Sequence, residues 1–444
     1  MLRRMVASKL VAVLSTCTLA LAAAATGGCT ASDGDAEPKA DCSLQGHNQF
    51  LFELMKDAYL WYDGVPDLDY RAYPSPEALL VDLVTEPRDR WSYISTKSVD
   101  DAFFREGQTL GFGMRWSFDQ EGSLRLALIQ PGSPAGEAGL RRGDAVVAIN
   151  GIDVEQVVSD DLWEELAGPD EEGYEMSLTI ERADAEAFTV ALRKAWYGIT
   201  TVVSPRVLQT GSATVGYLML TTFIEPSVSE LDSAFALFRE SQVDELVLDL
   251  RYNGGGRLSV ERHLASLIHR PAEAGALLDI TAHNDRHVDW DKRETFDDLD
   301  QPPLPLSRLV VITSGGTASA SESLINSLRA YMDVKIVGST THGKPVGMYG
   351  WDNCDMVVHP IAFRVLNAKE EGDFYDGLPP DCAADDTLGA ELGDAGETCL
   401  AEALHLLEHG ACSTAAQPGG AGERRASPPR EIPWRGLRRE VGAL

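Results

Sequence analysis

The chain has 444 residues, of which 44% are hydrophobic and 24% are charged, and its formal net charge at pH 7 is −31. A chain of this length and apolar content buries more than one core, so we expect two or three folded units. A surface this acidic repels phosphate backbones, which argues against nucleic acid as a ligand.

The first 28 residues predict an export signal. Arg3, Arg4 and Lys9 precede an apolar run at residues 10–25, which is too short for a comfortable transmembrane helix. Small residues follow and end in a cysteine, so the segment resembles a bacterial lipoprotein signal, in which Cys29 becomes the lipid-bearing first residue. Simple secretion and a retained membrane anchor are the alternatives. We expect the folded body to lie in the bacterial cell envelope, facing the periplasm or the exterior, with the membrane contacted through the N-terminal lipid.

A tether and a small helical module follow the signal. Residues 29–44 are small and acidic, which is typical of a flexible connection. In the module at residues 45–105, apolar residues recur at helical spacing over 48–62 and 76–84. The segment Asp89-Arg-Trp-Ser-Tyr-Ile94 predicts a strand or turn that packs rather than reacts.

Residues 106–196 predict a β-rich module, because short β runs alternate there with turns. The runs are 111–116, 124–129, 145–149, 175–181 and 188–192. The glycine loop Leu110-Gly111-Phe112-Gly113, with the segments 133–135, 138–144 and 149–151, resembles a PDZ domain. Glycines let backbone N–H groups converge on a terminal carboxylate while the strand edge pairs with an extended peptide, so a free C-terminus is the implied ligand. The alternative is a glycine pair that only closes a tight turn.

Residues 197–412 predict an α/β core, because apolar strand candidates alternate with helical stretches. The strand candidates are 213–220, 245–250, 308–312 and 334–337, and the helical candidates are 228–240, 260–267 and 321–331. Residues 413–444 hold six arginines against three glutamates and are rich in Pro, Gly and Ala, which predicts a disordered tail.

Ser319 and Lys344 are the candidate catalytic pair. Ser319 lies at the entrance of a helical candidate, and Lys344 follows the next strand candidate, a path that returns the chain to its starting point. Ser321 and Ser323 are expected to point elsewhere in the helix. A lysine with a pKa of roughly 10.4 is protonated at neutral pH, so a lysine base must be buried among apolar groups.

The segments 249–256, 317–322 and 338–344 resemble those of the carboxyl-terminal processing proteases of peptidase family S41. The order of helical module, PDZ domain and α/β core also matches. The resemblance implies a multidomain α/β fold whose serine-protease core is of the S41 (ClpP/crotonase-like) type. It implies an endopeptidase, with Ser319 as nucleophile and Lys344 as base, that acts on exported proteins with loose C-termini. It implies no metal and no cofactor.

Gly254, Gly255 and Ala320 are the candidate oxyanion donors. Backbone N–H groups near glycine suit this role because no Cβ blocks the approach of the developing charge. The resemblance implies one donor from the run at residues 254–256 and one from the amide of Ala320. The alternative is that the glycine run is only a strand-to-helix turn.

Met348 departs from the family's pattern, which places a glutamine there to orient the lysine. Methionine does not anchor an amine or ammonium. Thr341, Tyr349 or Glu322 is then expected to hold Lys344, unless the enzyme manages without such a group. The alternative function is a catalytically inactive, PDZ-containing, peptide-binding lipoprotein.

Two rival patterns lie near Lys344. His342 is an alternative base, although a histidine at such a turn is more often a surface residue. Residues 338–344 also fit the first seven positions of a phosphate-binding P-loop. Pro345 argues against that reading, because it replaces the Ser or Thr that would hold magnesium and removes a backbone N–H.

His283, Asp285, His287 and Asp289 form a candidate metal group if their loop folds inward. The charge crowded into residues 289–300 favours a solvated acidic loop instead.

An oxidising compartment makes disulfides plausible among the cysteines after Cys29. These are Cys42, Cys354, Cys382, Cys399 and Cys412. Five is an odd number, so we expect at least one to be free or paired with another chain. We predict pairing within the C-terminal group, for example Cys354 with Cys382.

Overall fold

A computed structural model describes residues 41–414 except Asp184 and Ser212. The predicted export signal, Cys29 and nearly all of the predicted tether and tail lie outside the described residues. Within the described part of the chain, no helix is long and apolar enough to cross a membrane.

The N-terminal unit is built on two helices that begin at serine caps. Ser43 Oγ accepts a hydrogen bond from the N–H of Gly46, and Ser75 Oγ accepts one from Ala78. Pro76 occupies the first helical position, where its missing N–H leaves no bond unmade. The elements are α1 (Leu44–Asp57), α2 (Pro76–Leu83), β1 (Tyr93–Thr96) and α3 (Lys97–Asp101).

The β-rich unit contains an antiparallel sheet whose strands alternate buried and exposed residues. In the segment Glu175–Glu181, for example, Met176, Leu178 and Ile180 face the core. The elements are β2 (Gln108–Gly111), β3 (Met114–Phe118), β4 (Leu124–Ile129), α4 (Pro134–Glu137), β5 (Ala145–Ile149), β6 (Ile152–Asp153), α5 (Val154–Ser159), α6 (Trp163–Ala167), β7 (Glu175–Glu181), β8 (Phe188–Arg193) and β9 (Ala195–Gly198).

The predicted strand over residues 111–116 is two strands. Gly113 has φ 79°, a left-handed conformation that breaks the run between β2 and β3. β2 pairs with β9, whereas β3 is the edge of the sheet ordered β3-β4-β5-β7-β8. The strand edge that the PDZ resemblance requires is therefore the edge of β3.

The core contains a mixed sheet ordered β10-β11-β12-β15-β16-β21, in which β10 is antiparallel to β11 and the later neighbours are parallel. The elements are β10 (Val202–Gln209), β11 (Thr214–Leu220), α7 (Ser227–Glu240), β12 (Glu245–Asp249), α8 (Leu258–Ile268), β13 (Leu277–Ala282), β14 (Lys292–Thr295), β15 (Arg308–Thr313), α9 (Ala320–Leu328), β16 (Asp333–Gly338), β17 (Val346–Met348), β18 (Trp351–Asn353), β19 (Met356–His359), β20 (Ile361–Asn367), β21 (Cys382–Ala383) and α10 (Thr398–His409).

Apolar layers cover both faces of this sheet, which is why its central strands read as unbroken apolar runs. Leu246 and Leu248 of β12 pack with α7, α8 and α9. Val247, between them, packs with α10 and with Leu128 of the β-rich unit. The predicted alternation of strands and helices is present, and the carboxyl ends of β12, β15 and β16 meet at one edge of the sheet.

The strands after residue 345 join earlier strands in two further sheets, which lie on the other side of the cleft from that edge. One sheet has the order β14-β13-β20-β17, and another has the order β1-β19-β18, which joins the N-terminal unit to the core. These short strands were not predicted from the sequence. They place residues 346–359 opposite the loops that follow the central strands.

The disulfide prediction within the C-terminal group is wrong for Cys354. Cys42 pairs with Cys354, and Cys382 pairs with Cys412. Cys399 is a buried thiol, which accounts for the odd number. The first bridge ties the start of the described chain to the turn between β18 and β19.

We expect the bridge of the longer loop to contribute more stability. The two bridges close separations of 312 and 30 residues, so loop-closure entropy predicts that the double variant Cys42→Ser/Cys354→Ser loses about 2 kcal/mol more unfolding free energy than Cys382→Ser/Cys412→Ser. Urea unfolding measures both losses. Peptide mapping without reductant provides the control, and a peptide joining Cys354 to Cys382 would contradict the connectivity.

Candidate active site

Ser319 lies at the sharp turn between β15 and α9. Its backbone has φ 56° and ψ −120°, a conformation that non-glycine residues adopt only where the surroundings enforce it. Two hydroxyls fix the turn, since Thr317 Oγ1 donates to the carbonyl of Leu250 and Ser321 Oγ donates to that of Asn253. Ser319 lines a cleft of about 540 Å³.

The Glu322 carboxylate joins this turn to the loop that carries Lys344. It is fully buried. One oxygen accepts hydrogen bonds from the N–H groups of Ser319 at 3.0 Å and Lys344 at 2.8 Å. The other accepts from the hydroxyl of Thr341 and the N–H of Gly343. Burial raises the pKa of Glu322, while these four bonds act in the opposite direction.

Lys344 lines the same cleft as Ser319 and is only 3% exposed. The preceding Gly343 has φ 86°, and a Cβ there would lie 2.2 Å from the carbonyl oxygen of Tyr375, so glycine is required. The Nζ of Lys344 lies 6.0 Å from the centre of the Trp91 indole ring, within cation–π range. The position is thus withdrawn from water, as a lysine base needs to be.

Met348 lines the cleft from β17 at the position of the family's glutamine. Among the expected holders of Lys344, Glu322 acts through the main chain of the lysine loop. Thr341 supports the same loop, because its Oγ1 donates to Glu322 and accepts from the N–H of Leu378 at 2.7 Å. Tyr349 directs its hydroxyl to Nε2 of His283 at 3.1 Å.

Gly255 lies against the nucleophile turn. A Cβ at this position would come within 2.7 Å of the Cβ of Ser319 and 3.1 Å of the nitrogen of Ala320, so the approach excludes any side chain. The N–H of Gly255 donates to Oδ1 of Asn253 at 2.9 Å. Ala320 is the first residue of α9, where helical N–H groups have no partner within the helix. Gly254 precedes these groups on the loop after β12.

Two arginines of the β-rich unit contact Tyr252, which lies on that same loop. Arg115 of β3 donates to the carbonyl of Tyr252 at 3.1 Å, and its guanidinium lies 5.1 Å from the ring centre. Arg142 donates to the phenol oxygen of Tyr252 at 2.8 Å. The strand with the free edge is therefore in direct contact with the loop that carries Gly254 and Gly255.

The glycine loop lies at the start of β3. Leu110 and Gly111 end β2 and pair with Trp196 and Ala195 of β9. Phe112 is buried in the β-rich core. A Cβ on Gly113 would lie within 2.1 Å of side-chain atoms of Ser133, so the bend requires glycine.

The rival histidines contact protein groups. Nε2 of His342 accepts a hydrogen bond from the indole N–H of Trp91 at 3.2 Å. The loop of His283 contacts the N-terminal unit, where Asn284 Nδ2 donates to the carbonyls of Asp57 and Tyr59. This loop is thus partly packed rather than fully solvated.

The alternative metal group at residues 283–289, which the sequence analysis did not favour, is not among the ligand-like clusters in the described part of the chain. The cluster there with ligand-like spacing is Cys382, Glu402 and Cys412, and its two cysteines form a disulfide.

Sequence reasoning missed the contact of Trp91 with the lysine loop, because pattern alone assigned residues 89–94 a packing role remote from chemistry. It also placed Ser323 away from the cleft that Ser323 in fact lines. Helical spacing could have predicted this position, because Ser323 lies one turn after Ser319 and therefore on the same face of the helix.

We expect Glu322→Gln to loosen the lysine loop. The glutamine amide would direct an NH₂ group at two of the four donors, which costs about 1–3 kcal/mol for a buried group. Amide hydrogen exchange measured by mass spectrometry should increase in peptides that contain Gly343 and Lys344. Glu408→Gln, at an exposed position of α10, is the matched control. Unchanged exchange of that loop in Glu322→Gln would contradict the assignment.

Three family models match successive parts of the chain. They are the peptidase S41 N-terminal domain at residues 46–93, a PDZ domain at residues 126–172 and peptidase family S41 at residues 214–350. The matches follow the order of the N-terminal unit, the β-rich unit and the core.

Curated relatives carry processing-protease names. The carboxyl-terminal-processing protease of Synechocystis sp. is 27% identical over 319 residues, which cover 68% of this chain and 70% of the relative. The chloroplastic C-terminal processing peptidase of Tetradesmus obliquus is 28% identical over 258 residues, which cover 54% of this chain. The chain spans about half of that relative, at 52% of its length.

A solved structure described as an S41 protease of Bacteroides fragilis NCTC 9343 superposes with a TM-score of 0.66 at 25% identity, covering 81% of this chain and 97% of the other. These matches confirm the predicted fold class of N-terminal helical segment, PDZ domain and α/β protease core. The chain therefore has an S41 protease core preceded by an S41 N-terminal domain and a PDZ domain, and it is similar to proteases of that family.

Proposed function

We propose that this protein is an exported endopeptidase that cleaves peptide bonds with Ser319 as nucleophile and Lys344 as general base. The observation that carries the proposal is the Glu322 carboxylate, which binds the backbone N–H of both residues while both line one cleft. A structural helix cap needs only the first of these bonds. The bond from the N–H of Lys344 is not needed for the cap, and it is explained if Ser319 and Lys344 act together.

The proposed reaction starts with neutral Lys344. Its Nζ takes the hydroxyl proton of Ser319 as Oγ attacks the carbonyl carbon of the scissile bond. Lys344 then gives this proton to the leaving amine, and an acyl-enzyme remains on Ser319. Water, deprotonated by Lys344, releases the acyl group and restores the serine. The cycle consumes one water and requires no metal or cofactor.

We assign the oxyanion to backbone donors. The N–H of Ala320 points from the first turn of α9, where the helix dipole also favours negative charge. The second donor comes from the glycine run at Gly254 and Gly255. Because Asn253 Oδ1 accepts the Gly255 N–H, use of that amide requires the Asn253 side chain to release it.

The PDZ domain would capture the C-terminal tail of a protein substrate. In this proposal a terminal carboxylate binds at Leu110, Gly111, Phe112 and Gly113, and the extended tail pairs with the edge of β3. Support comes from the free edge of β3 in the sheet order and from the contact of Arg115 with Tyr252. The substrates are then proteins or peptides with accessible C-termini.

Export and lipidation at Cys29 complete the proposal. The disulfides Cys42–Cys354 and Cys382–Cys412 favour an oxidising compartment, because cytosolic thiols remain reduced. A chain lipidated at Cys29 would be held in the cell envelope, with the protease body facing the periplasm or the exterior.

A catalytically inactive, peptide-binding lipoprotein is the second candidate function. Met348 favours it, because a thioether does not orient an amine. Under this alternative the PDZ domain is the working part, and the core is a scaffold.

We expect the parent protein to cleave an unfolded protein, while Ser319→Ala and Lys344→Ala lower turnover by about 1,000-fold or more. Mass spectrometry of the fragments measures the cleavage, and thermal unfolding of each variant controls for loss of fold. Ser307→Ala, at an exposed serine outside the cleft, is a control for serine removal. No cleavage by folded parent protein would favour the peptide-binding lipoprotein.

A further inference from the structure

Among the described residues that line the cleft, the acidic side chains are paired with neighbours other than Arg257. Asp352 contacts Lys97, and Asp101 contacts Arg105 at 3.3 Å. Asp100 lies 2.7 Å from Nε2 of His359 and also accepts from the hydroxyl of Ser95. The acidic groups of the cleft are thus already engaged by neighbours.

Arg257 lines the same cleft without such a partner. Its guanidinium lies 5.8 Å from the ring centre of Phe104. Its Nε is buried and has no hydrogen-bond acceptor in the described part of the chain, where no carboxylate lies within ion-pair distance of it. A buried N–H of a charged group without an acceptor is costly, so an acceptor supplied from the cleft would stabilise this side chain.

The backbone fixes Arg257 close to the reacting atoms. Its N–H donates to the carbonyl of Phe223 at 2.7 Å. Gly255, which contacts Ser319, lies only two residues earlier, a separation of at most about 7 Å between Cα atoms. A group bound by the guanidinium would therefore lie in the cleft that also contains Ser319.

We propose that Arg257 binds a carboxylate of the substrate beside the scissile bond. The guanidinium presents paired N–H donors that match a carboxylate, and the Phe104 ring limits its motion. The inference rests on the proposed peptidase function and adds a substrate preference to it. A protein of net charge −31 repels acidic chains at long range. A cation inside the cleft would offset this repulsion for a substrate carboxylate that binds there.

The carboxylate has two sources, an Asp or Glu side chain or the α-carboxylate at the end of a chain. Matched unstructured peptides separate them. One series places Glu or Gln at successive positions around the cleaved bond with an amidated C-terminus, and a second series compares free and amidated C-termini close to that bond. The measured quantity is the ratio of kcat/KM for the carboxylate peptide to that for its neutral partner.

We expect this ratio to be about 10 to 100 in the parent protein for one of the two series and to fall towards one in Arg257→Gln. Arg257→Lys, which keeps the charge but not the paired donors, should retain part of the preference. Arg105→Gln is the matched control, because it removes an exposed cation of the same cleft that already contacts Asp101. A preference unchanged in Arg257→Gln, or a parent without preference in either series, would overturn the proposal.

A binding experiment separates this proposal from the peptidase function. Ser319→Ala protein, with and without Arg257→Gln, is titrated with the same labelled peptides, and fluorescence anisotropy gives the Kd. Tighter binding of the carboxylate peptide that depends on Arg257 supports the site even if no cleavage occurs. Equal Kd values for acidic and neutral peptides would reject it even if the parent protein is an active protease.

Discussion

The buried carboxylate of Glu322 is the interaction on which the site depends. Taking a carboxylate out of water costs several kcal/mol unless donors surround it. Its donors come from the strained turn at Ser319 and from the loop at residues 341–344. If either segment moved, the charge would lose its partners. The need to satisfy one buried group therefore holds both segments together.

The sheet explains why these segments are close enough to share that carboxylate. β12, β15 and β16 are parallel neighbours, and the chain leaves each of them at the same edge. Open α/β sheets place ligand sites at this edge, since loops from adjacent strands converge there. The PDZ domain adds Arg115 and Arg142 from outside, both against Tyr252. The proposed tail-binding unit thus contacts the proposed oxyanion loop at Tyr252.

Local pattern was sufficient to predict much of the core and to select Ser319 and Lys344 as the proposed nucleophile and base. The apolar run of β12 and the helical spacing of α7 carry their own signals, and Ser319 and Lys344 lie in distinctive segments. β17, β18 and β19 are short, and β1 and β13, the partners of β19 and β20, lie far away in sequence. Their pairing depends on tertiary contacts rather than on local propensity.

Side chains whose roles come from distant neighbours were the hardest to predict. Trp91 contacts Lys344 across the junction of two units, and Arg257 gains its significance from the pairing of other charges in the cleft. Cys42 and Cys354 illustrate the same limit, because cysteine spacing does not determine connectivity. In each case the sequence showed the residue type but not the residue that it contacts in the folded protein.

The central claim is that Lys344 activates Ser319 for covalent catalysis, and labelling by a fluorophosphonate probe tests it most directly. Intact-mass measurement of the parent protein should show one adduct, and peptide mapping should place it on Ser319. The labelling rate of Lys344→Ala should be lower by about 100-fold or more. An adduct on another residue, or equal labelling rates in the parent and in folded Lys344→Ala, would contradict the account.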